Sequence, residues 1–138
     1  MMIEDLIEEG YISRVEVDRA LISKELKESE YDLDKAKLAL EQKDNKWCIV
    51  KAYYSMFHAA RAVLFSLGLK ERRHFVVGII LERLSRDGKL EIKYVNDFRA
   101  AMSSREDADY RYVYSTDTAT YLADVAQEFL DKMKKLIK

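Results

Sequence analysis

The sequence predicts an all-α protein, a bundle of four to five up-and-down helices, on three observations. The 138 residues hold no proline and only four glycines, so residues that break helices are nearly absent. Apolar residues recur by threes and fours through most of the chain, the spacing of one helix face. Strand-like alternation is missing, apart from a brief ambiguity at residues 110–114. Glycines are then the natural punctuation: Gly10, Gly68 and Gly88 fall between periodic segments, and Gly78 falls inside one.

Residues 1–9 predict a short helix. The next runs from about Asp18 to Lys43, with Ile22, Leu26, Leu33, Ala36 and Leu40 on one face and Lys and Glu on the other. A third runs from about Asn45 to Leu67 with two apolar stripes. One holds Ile49, Ala52, Tyr53, Met56, Ala60, Val63 and Leu67; the other holds Val50, Tyr54, Phe57 and Phe65. A helix apolar on two sides is central, and its second face needs another helix or another subunit, so a homodimer is one expectation. Leu67-Gly68-Leu69 suits a left-handed glycine cap. A shorter helix is expected from about Arg72 to Arg86, stopped by Asp87-Gly88, and a further one starts near Glu91 with Tyr94, Val95, Phe98, Ala101 and Met102 on one face. The last begins near Ser115 to Asp117, which offer caps, and lysines complement its carboxyl end. No repeat or linker divides residues 1–138, which read as a single domain.

Composition excludes several classes. Cys48 has no second cysteine to pair with, and a lone thiol is the usage of a cytoplasmic protein. No window approaches the roughly 18–20 consecutive apolar residues of a membrane span, and the acidic start (Glu4, Asp5, Glu8, Glu9) is unlike a secretory signal. The net charge of −1 argues against a protein that coats nucleic acid, although it hides a division. Residues 1–47 carry 8 Lys/Arg against 13 Asp/Glu, and residues 48–138 carry 16 against 12. Two histidines and one cysteine fit no usual zinc spacing, and a phosphate-cradling loop lacks its glycines; no metal and no cofactor is expected. The carboxylate pairs Glu4 with Glu8 and Glu28 with Asp32 read as solvated helix faces.

Arg105 is the residue that draws chemistry. It continues the apolar seam of Tyr94, Val95, Phe98, Ala101 and Met102, and Asp109 lies four residues on, within reach on the same face. Spacing alone allows a structural ion pair at the bundle's end or an anion clamp built on the planar guanidinium. Three tyrosines follow, Tyr110, Tyr112 and Tyr114, which could stack on bases or simply pack the helix end. Tyr54, His58 and Arg61 share one narrow side of the central helix, where polar groups need partners. His74 closes the basic run Lys70-Glu71-Arg72-Arg73-His74 at a helix start, a place that suits phosphate or is merely a solvated loop.

The stretch Ala52-Tyr53-Tyr54-Ser55-Met56-Phe57-His58-Ala59-Ala60-Arg61-Ala62, then Gly68-Leu69 and His74, then Arg105-Glu106-Asp107-Ala108-Asp109-Tyr110 and a closing amphipathic helix, resembles the HEPN (higher eukaryote and prokaryote nucleotide-binding) superfamily, in its small stand-alone prokaryotic branch. The resemblance covers nearly the whole chain. It implies a dimeric helical bundle, often encoded beside a small nucleotidyltransferase with which it forms a toxin–antitoxin pair. Many members are metal-independent ribonucleases whose signature is an arginine followed after four to six residues by a histidine, with both subunits contributing to one cleft. Arg105 matches the arginine. Positions 110, 111 and 112 are Tyr, Arg and Tyr, so the histidine has no match. In some pairs a tyrosine two places beyond that histidine accepts an adenylyl group, and Tyr112 stands at the matching position.

What the resemblance implies here is a nucleotide- or RNA-associated dimer acting with a nucleotidyltransferase, with Arg105, Asp109, Tyr110, Tyr54, His58, Arg61 and His74 as binding residues. The alternative is a metal-independent endoribonuclease in which Arg105 works with a substitute for the missing histidine, His58, His74 or Tyr110. A third reading is a dimeric scaffold whose polar seam sets register. A histidine close to Arg105 would favour the enzyme.

Overall fold

The computed structural model describes residues 2–137. They form α1 (Ile3–Glu8), β1 (Ile12–Arg14), α2 (Arg19–Glu41), α3 (Asn45–Ser66), β2 (Leu69–Glu71), α4 (Val76–Arg86), α5 (Ile92–Tyr110) and α6 (Thr116–Ile137). Short polar side chains open the long helices. Asp18 accepts from the amides of Ala20 and Leu21 at 2.9 and 3.3 Å to start α2, and Asp44 accepts from the Trp47 amide at 3.1 Å to start α3. Ser115 accepts from the Thr118 amide at 3.1 Å and opens α6, as its sequence predicts.

Side-chain pairs fix the directions of the four long helices. Glu25 with His58, Ser29 with Ser55 and Asp32 with Lys51 pair α2 and α3 in opposite senses. Asp97 with Tyr121 and Lys93 with Glu128 do the same for α5 and α6. Cys48 lies beside Ala119, and Ala62 and Phe65 share a cluster with Ile137, so α3 and α6 run the same way. The result is the up-down-up-down bundle the sequence predicts, with α4 packed across α3 and α5.

α3 is the axis. Between Cys48 and Phe65 only Lys51, Tyr54, His58 and Arg61 are not buried. Alanines and serines let its neighbours come close: Ala52, Ala59 and Ala60 are fully enclosed, and Ser29 Oγ donates to the Ser55 carbonyl at 2.6 Å between α2 and α3. Tyr53, Phe98 and Phe129 make an aromatic column through the middle of the core, with centroids 6.0 Å apart for the first pair and 5.9 Å for the second.

The structure corrects the sequence reading in two places and resolves two points it left open. The second apolar stripe of α3 is covered by other helices of the chain, one of the two outcomes the sequence allows, since Val50, Phe57 and Phe65 are buried. Two short strands exist: β1 pairs antiparallel with β2, Ile12 opposite Glu71 and Arg14 opposite Leu69. Three residues are too few to display alternation, and Ile12 and Leu69 are the only apolar ends they show. Residues 110–114 form no strand; α5 ends at Tyr110 and irregular chain follows. α4 begins at Val76 rather than near Arg72, so Arg72, Arg73 and His74 lie in the loop before it. The reason is that the Arg72 amide is held by the Tyr11 carbonyl at 2.8 Å, and the Arg72 Nε donates to Ser13 Oγ at 2.9 Å, which keeps this segment extended beside β1. No helix among the described residues is long and apolar enough to cross a membrane.

Gly68 joins α3 to β2 in the left-handed region at φ +73°, as its cap position predicts. Its carbonyl accepts from the Val15 amide at 2.9 Å, and a Cβ there would meet the Val15 carbonyl at 3.1 Å. Gly68→Ala is expected to destabilise the fold by more than ~1 kcal/mol, from the positive φ and the close approach together, read as a lower urea midpoint at unchanged slope.

Candidate functional site

The open stripe of α3 reads Lys51, Tyr54, His58, Arg61, spaced three, four and three residues, so the four side chains stack along one line of the helix. α2 places carboxylates against it. Glu25 and Asp32 are buried at 8% and 5% exposure, two of only five buried polar side chains among the described residues. Lys51 Nζ meets Asp32 Oδ1 at 3.1 Å, and His58 Nδ1 donates to Glu25 Oε2 at 2.7 Å. His58 Nε2 lies 3.7 Å from Asp32 Oδ2. Arg61 NH1 donates to Glu25 Oε1 at 3.2 Å, and its Nε stands 2.8 Å from Glu71 Oε2 of β2. That last contact is off the direction of a hydrogen bond, and Glu71 Oε1 is enclosed with no donor. Attraction between opposite charges in a poorly hydrated place holds this group together.

Asp32 is therefore no part of a solvated pair with Glu28, which alone is exposed. Both ring nitrogens of His58 face carboxylates, and Arg61 is held by Glu25 again and by Glu71. Neither reaches Arg105. The anion site expected to combine His58 and Arg61 with Arg105 is divided in this structure, where the acids of α2 and β2 pair with His58 and Arg61.

Arg105 forms a second group. Its Nε lies 3.1 Å from Asp109 Oδ2, one turn along α5, and its NH2 donates to the Tyr54 hydroxyl at 3.1 Å. Nε is enclosed and poorly aligned with Asp109, so this pair too is electrostatic. Three rings surround the guanidinium carbon, Tyr54 at 5.5 Å, Tyr53 at 5.8 Å and Tyr110 at 6.0 Å from their centroids. The side chain keeps 23% exposure, so the recess is open at one end. Arg105 and Asp109 thus come together as the spacing predicts, and Tyr54 of α3 and the ring of Tyr110 join them.

His74 completes this group from the loop between β2 and α4. Its Nε2 is hydrogen-bonded to the Tyr53 hydroxyl, and its ring lies flat on Phe57 with centroids 4.0 Å apart and planes 1° from parallel. The residue is exposed. Burial of part of its ring and the positive charges of Arg105 and Arg61 hold its pKa below the ordinary 6.5, against the opposing pull of Glu71, so the imidazole is neutral at neutral pH. Burial also pushes the Tyr53 phenol well above its usual value, partly offset by Arg105, and it stays protonated. Sequence reasoning placed His74 in a basic helix start; the structure places it beside Arg105 through Tyr53.

Tyr53, Phe57, Glu25 and Glu71 belong to these two candidate groups by contact and are not singled out by the sequence. Tyr53 and Phe57 sit on the apolar stripes and read as core. Glu25, Ser29 and Asp32 do carry a signal, a polar row at four and three residues beside the apolar row of α2. Tyr112 is 73% exposed and adopts φ +56°, unusual for a side-chain-bearing residue, with Lys46 Nζ 5.6 Å from its ring.

Two outcomes follow. Glu25→Gln leaves His58 and Arg61 facing a neutral amide and is expected to cost about 2 kcal/mol in urea unfolding, less than the roughly 3–5 of a fully enclosed pair because both side chains keep 23% exposure. The Cys48 thiol, pushed up to about 11 by burial and by Asp44, is expected to resist a thiol-specific alkylating reagent at pH 8 until denaturant is added, scored by mass spectrometry.

Known proteins resemble the chain over most of its length. A Methanocaldococcus jannaschii protein named "Putative toxin" is 28% identical over 130 residues, 87% of this chain and 97% of its own. A UPF0332 protein of Pyrococcus horikoshii is 27% identical over 117 residues, 85% of this chain and 74% of its own. A second Methanocaldococcus jannaschii protein named "Putative toxin" is 25% identical over 121 residues, 80% of this chain and 82% of its own. The family model described as the HEPN domain matches residues 22–137, which span α2 to α6 and every charged residue of both groups. The chain belongs to the HEPN family.

Proposed function

We propose that this protein is the HEPN member of a toxin–antitoxin-type pair and that it associates with RNA or a nucleotide through Arg105. The observation that carries this reading is the state of that guanidinium. Asp109 and Tyr54 hold it in place, aromatic rings flank it, and it remains open on one side. A restrained guanidinium with donors to spare suits a phosphate, and the tyrosine rings beside it suit a base. The names of the relatives support the toxin-type role.

Within this reading the protein acts as a homodimer with a small nucleotidyltransferase as partner. Tyr112 is the acceptor for an adenylyl group, its phenol oxygen attacking the α-phosphorus of ATP with release of pyrophosphate. Its 73% exposure supports that role, since a partner enzyme must reach the hydroxyl.

Fluorescence anisotropy with a labelled single-stranded RNA tests the reading. Arg105→Ala is expected to weaken binding about 10-fold, the size of one charge-assisted contact, and to flatten the salt dependence by about one counterion. Equal affinity for both proteins, with a changed oligomeric state in the variant, would favour the scaffold instead.

A further inference from the structure

We infer that the outward face of the β1–β2 pair is an anion site separate from Arg105, and that it takes a compact polyphosphate, two or three linked phosphates, free or carried on a nucleotide. It shares no residue with the Arg105 recess, and neither reading fails with the other. Three observations carry it.

The first is convergence. Gly10, Ser13, Lys70, Glu71, Arg72 and Arg73 line an open cavity of about 520 Å³ on this face. The strand register sets Ser13 opposite Lys70, so their side chains share one side of the sheet. Arg72, two residues beyond Lys70, returns to that side and donates from Nε to Ser13 Oγ at 2.9 Å. Gly10, at φ +78°, leaves the rim clear, since no heavy atom stands within 4 Å of where a Cβ would be.

The second is surplus charge. Lys70, Arg72 and Arg73 are exposed, and none of them pairs with a carboxylate among the described residues. Glu71 is the one carboxylate that borders the cavity, and it faces Arg61 with its side chain only 10% exposed. Three positive charges within four residues thus make a local field that no ion pair offsets.

The third is that the donors are held in place. The Tyr11 carbonyl accepts from the Arg72 amide at 2.8 Å, and the Tyr11 ring packs edgewise on Phe75 with centroids 5.8 Å apart. With Nε committed to Ser13, Arg72 keeps both terminal nitrogens to donate, and the Ser13 hydroxyl keeps its hydrogen. A guanidinium fixed at Nε presents its fork to phosphate oxygens with little further loss of freedom.

Three cations around one cavity suit an anion that gathers several charges in one place. An RNA strand carries a single charge per nucleotide, strung along its backbone, and a lone phosphate engages fewer of the donors. A bound polyphosphate would bridge Ser13 of β1 to Arg72 and Arg73, tying the strand to the loop that follows β2.

Isothermal titration calorimetry on the full chain in magnesium-free buffer, with inorganic triphosphate, ATP and inorganic phosphate, tests this. Triphosphate is expected to bind at least about 10-fold tighter than phosphate and to raise the melting temperature as its concentration rises. Lys70→Ala and Arg73→Ala are each expected to weaken triphosphate about 10-fold, and together about 100-fold, with circular dichroism unchanged. Arg105→Ala should bind triphosphate as wild type does. Triphosphate bound more tightly than ATP assigns the site to a free polyphosphate, and ATP at equal or higher affinity assigns it to a nucleotide. The inference is overturned by no binding of triphosphate, by phosphate binding as tightly, by affinity undiminished in the double variant, or by affinity lost in Arg105→Ala. A double variant that loses labelled single-stranded RNA, while wild type ignores triphosphate, also overturns it and gives the patch to an RNA strand. The RNA affinity of Arg105→Ala is read separately by anisotropy, so absence of triphosphate binding leaves the Arg105 reading intact.

Discussion

Enclosing α3 on nearly all sides is the constraint from which the rest of the molecule follows. A helix surrounded by four others cannot carry polar side chains wherever its sequence happens to put them, because each would need a partner in a place without water. Beyond its first turn, its ionisable side chains that are not buried are accordingly collected on one line, Lys51, Tyr54, His58 and Arg61. The neighbouring elements then have to supply the opposite charges at matching heights, and α2 and β2 do so with Asp32, Glu25 and Glu71. The serine pair at positions 29 and 55 satisfies the remaining buried hydroxyls in the same seam.

This arrangement divides the polar residues by their surplus. In the α2 group, three carboxylates meet Lys51, Arg61 and a histidine, so little positive charge is left over for a polyanion. Around Arg105 one carboxylate and a phenol hold one guanidinium, with Tyr53 and His74 adding neutral hydrogen-bonding groups beside it. A cation balanced by one acid and flanked by neutral donors and acceptors keeps its affinity for an incoming anion. The first group is suited to fixing the geometry of the bundle and the second to meeting something from outside it.

The helices were legible because their signals are local: a cap residue, a three-and-four spacing, a terminal glycine. Arg105, Asp109 and Tyr110 were legible for the same reason, all lying on one turn or two of α5. What escaped the sequence was set by elements far apart along the chain. The pairing of β1 with β2 joins residues 12–14 to 69–71, too short on either side to show a pattern. Tyr53 looks like core because it is core; its hydroxyl matters only once the loop of His74 folds over it. Asp32 looks solvated beside Glu28, and only the arrival of Lys51 and His58 from the next helix makes it a buried counter-charge.

The clasp formed by β1 has a bearing on kinship. Tyr11 accepts from the Arg72 amide and sets its ring edgewise on Phe75 at 5.8 Å, while Ser13 accepts from Arg72 Nε and the strand pairs through Leu69–Glu71. All of these anchors lie ahead of residue 22, where the match to the family begins. The loop that presents His74 is thus moored to a part of the chain outside the shared core. Two proteins alike from α2 to α6 but unlike in their first twenty residues would hold that loop at different angles, so divergence within the family can act on the site from a segment that comparison of the domain alone would overlook.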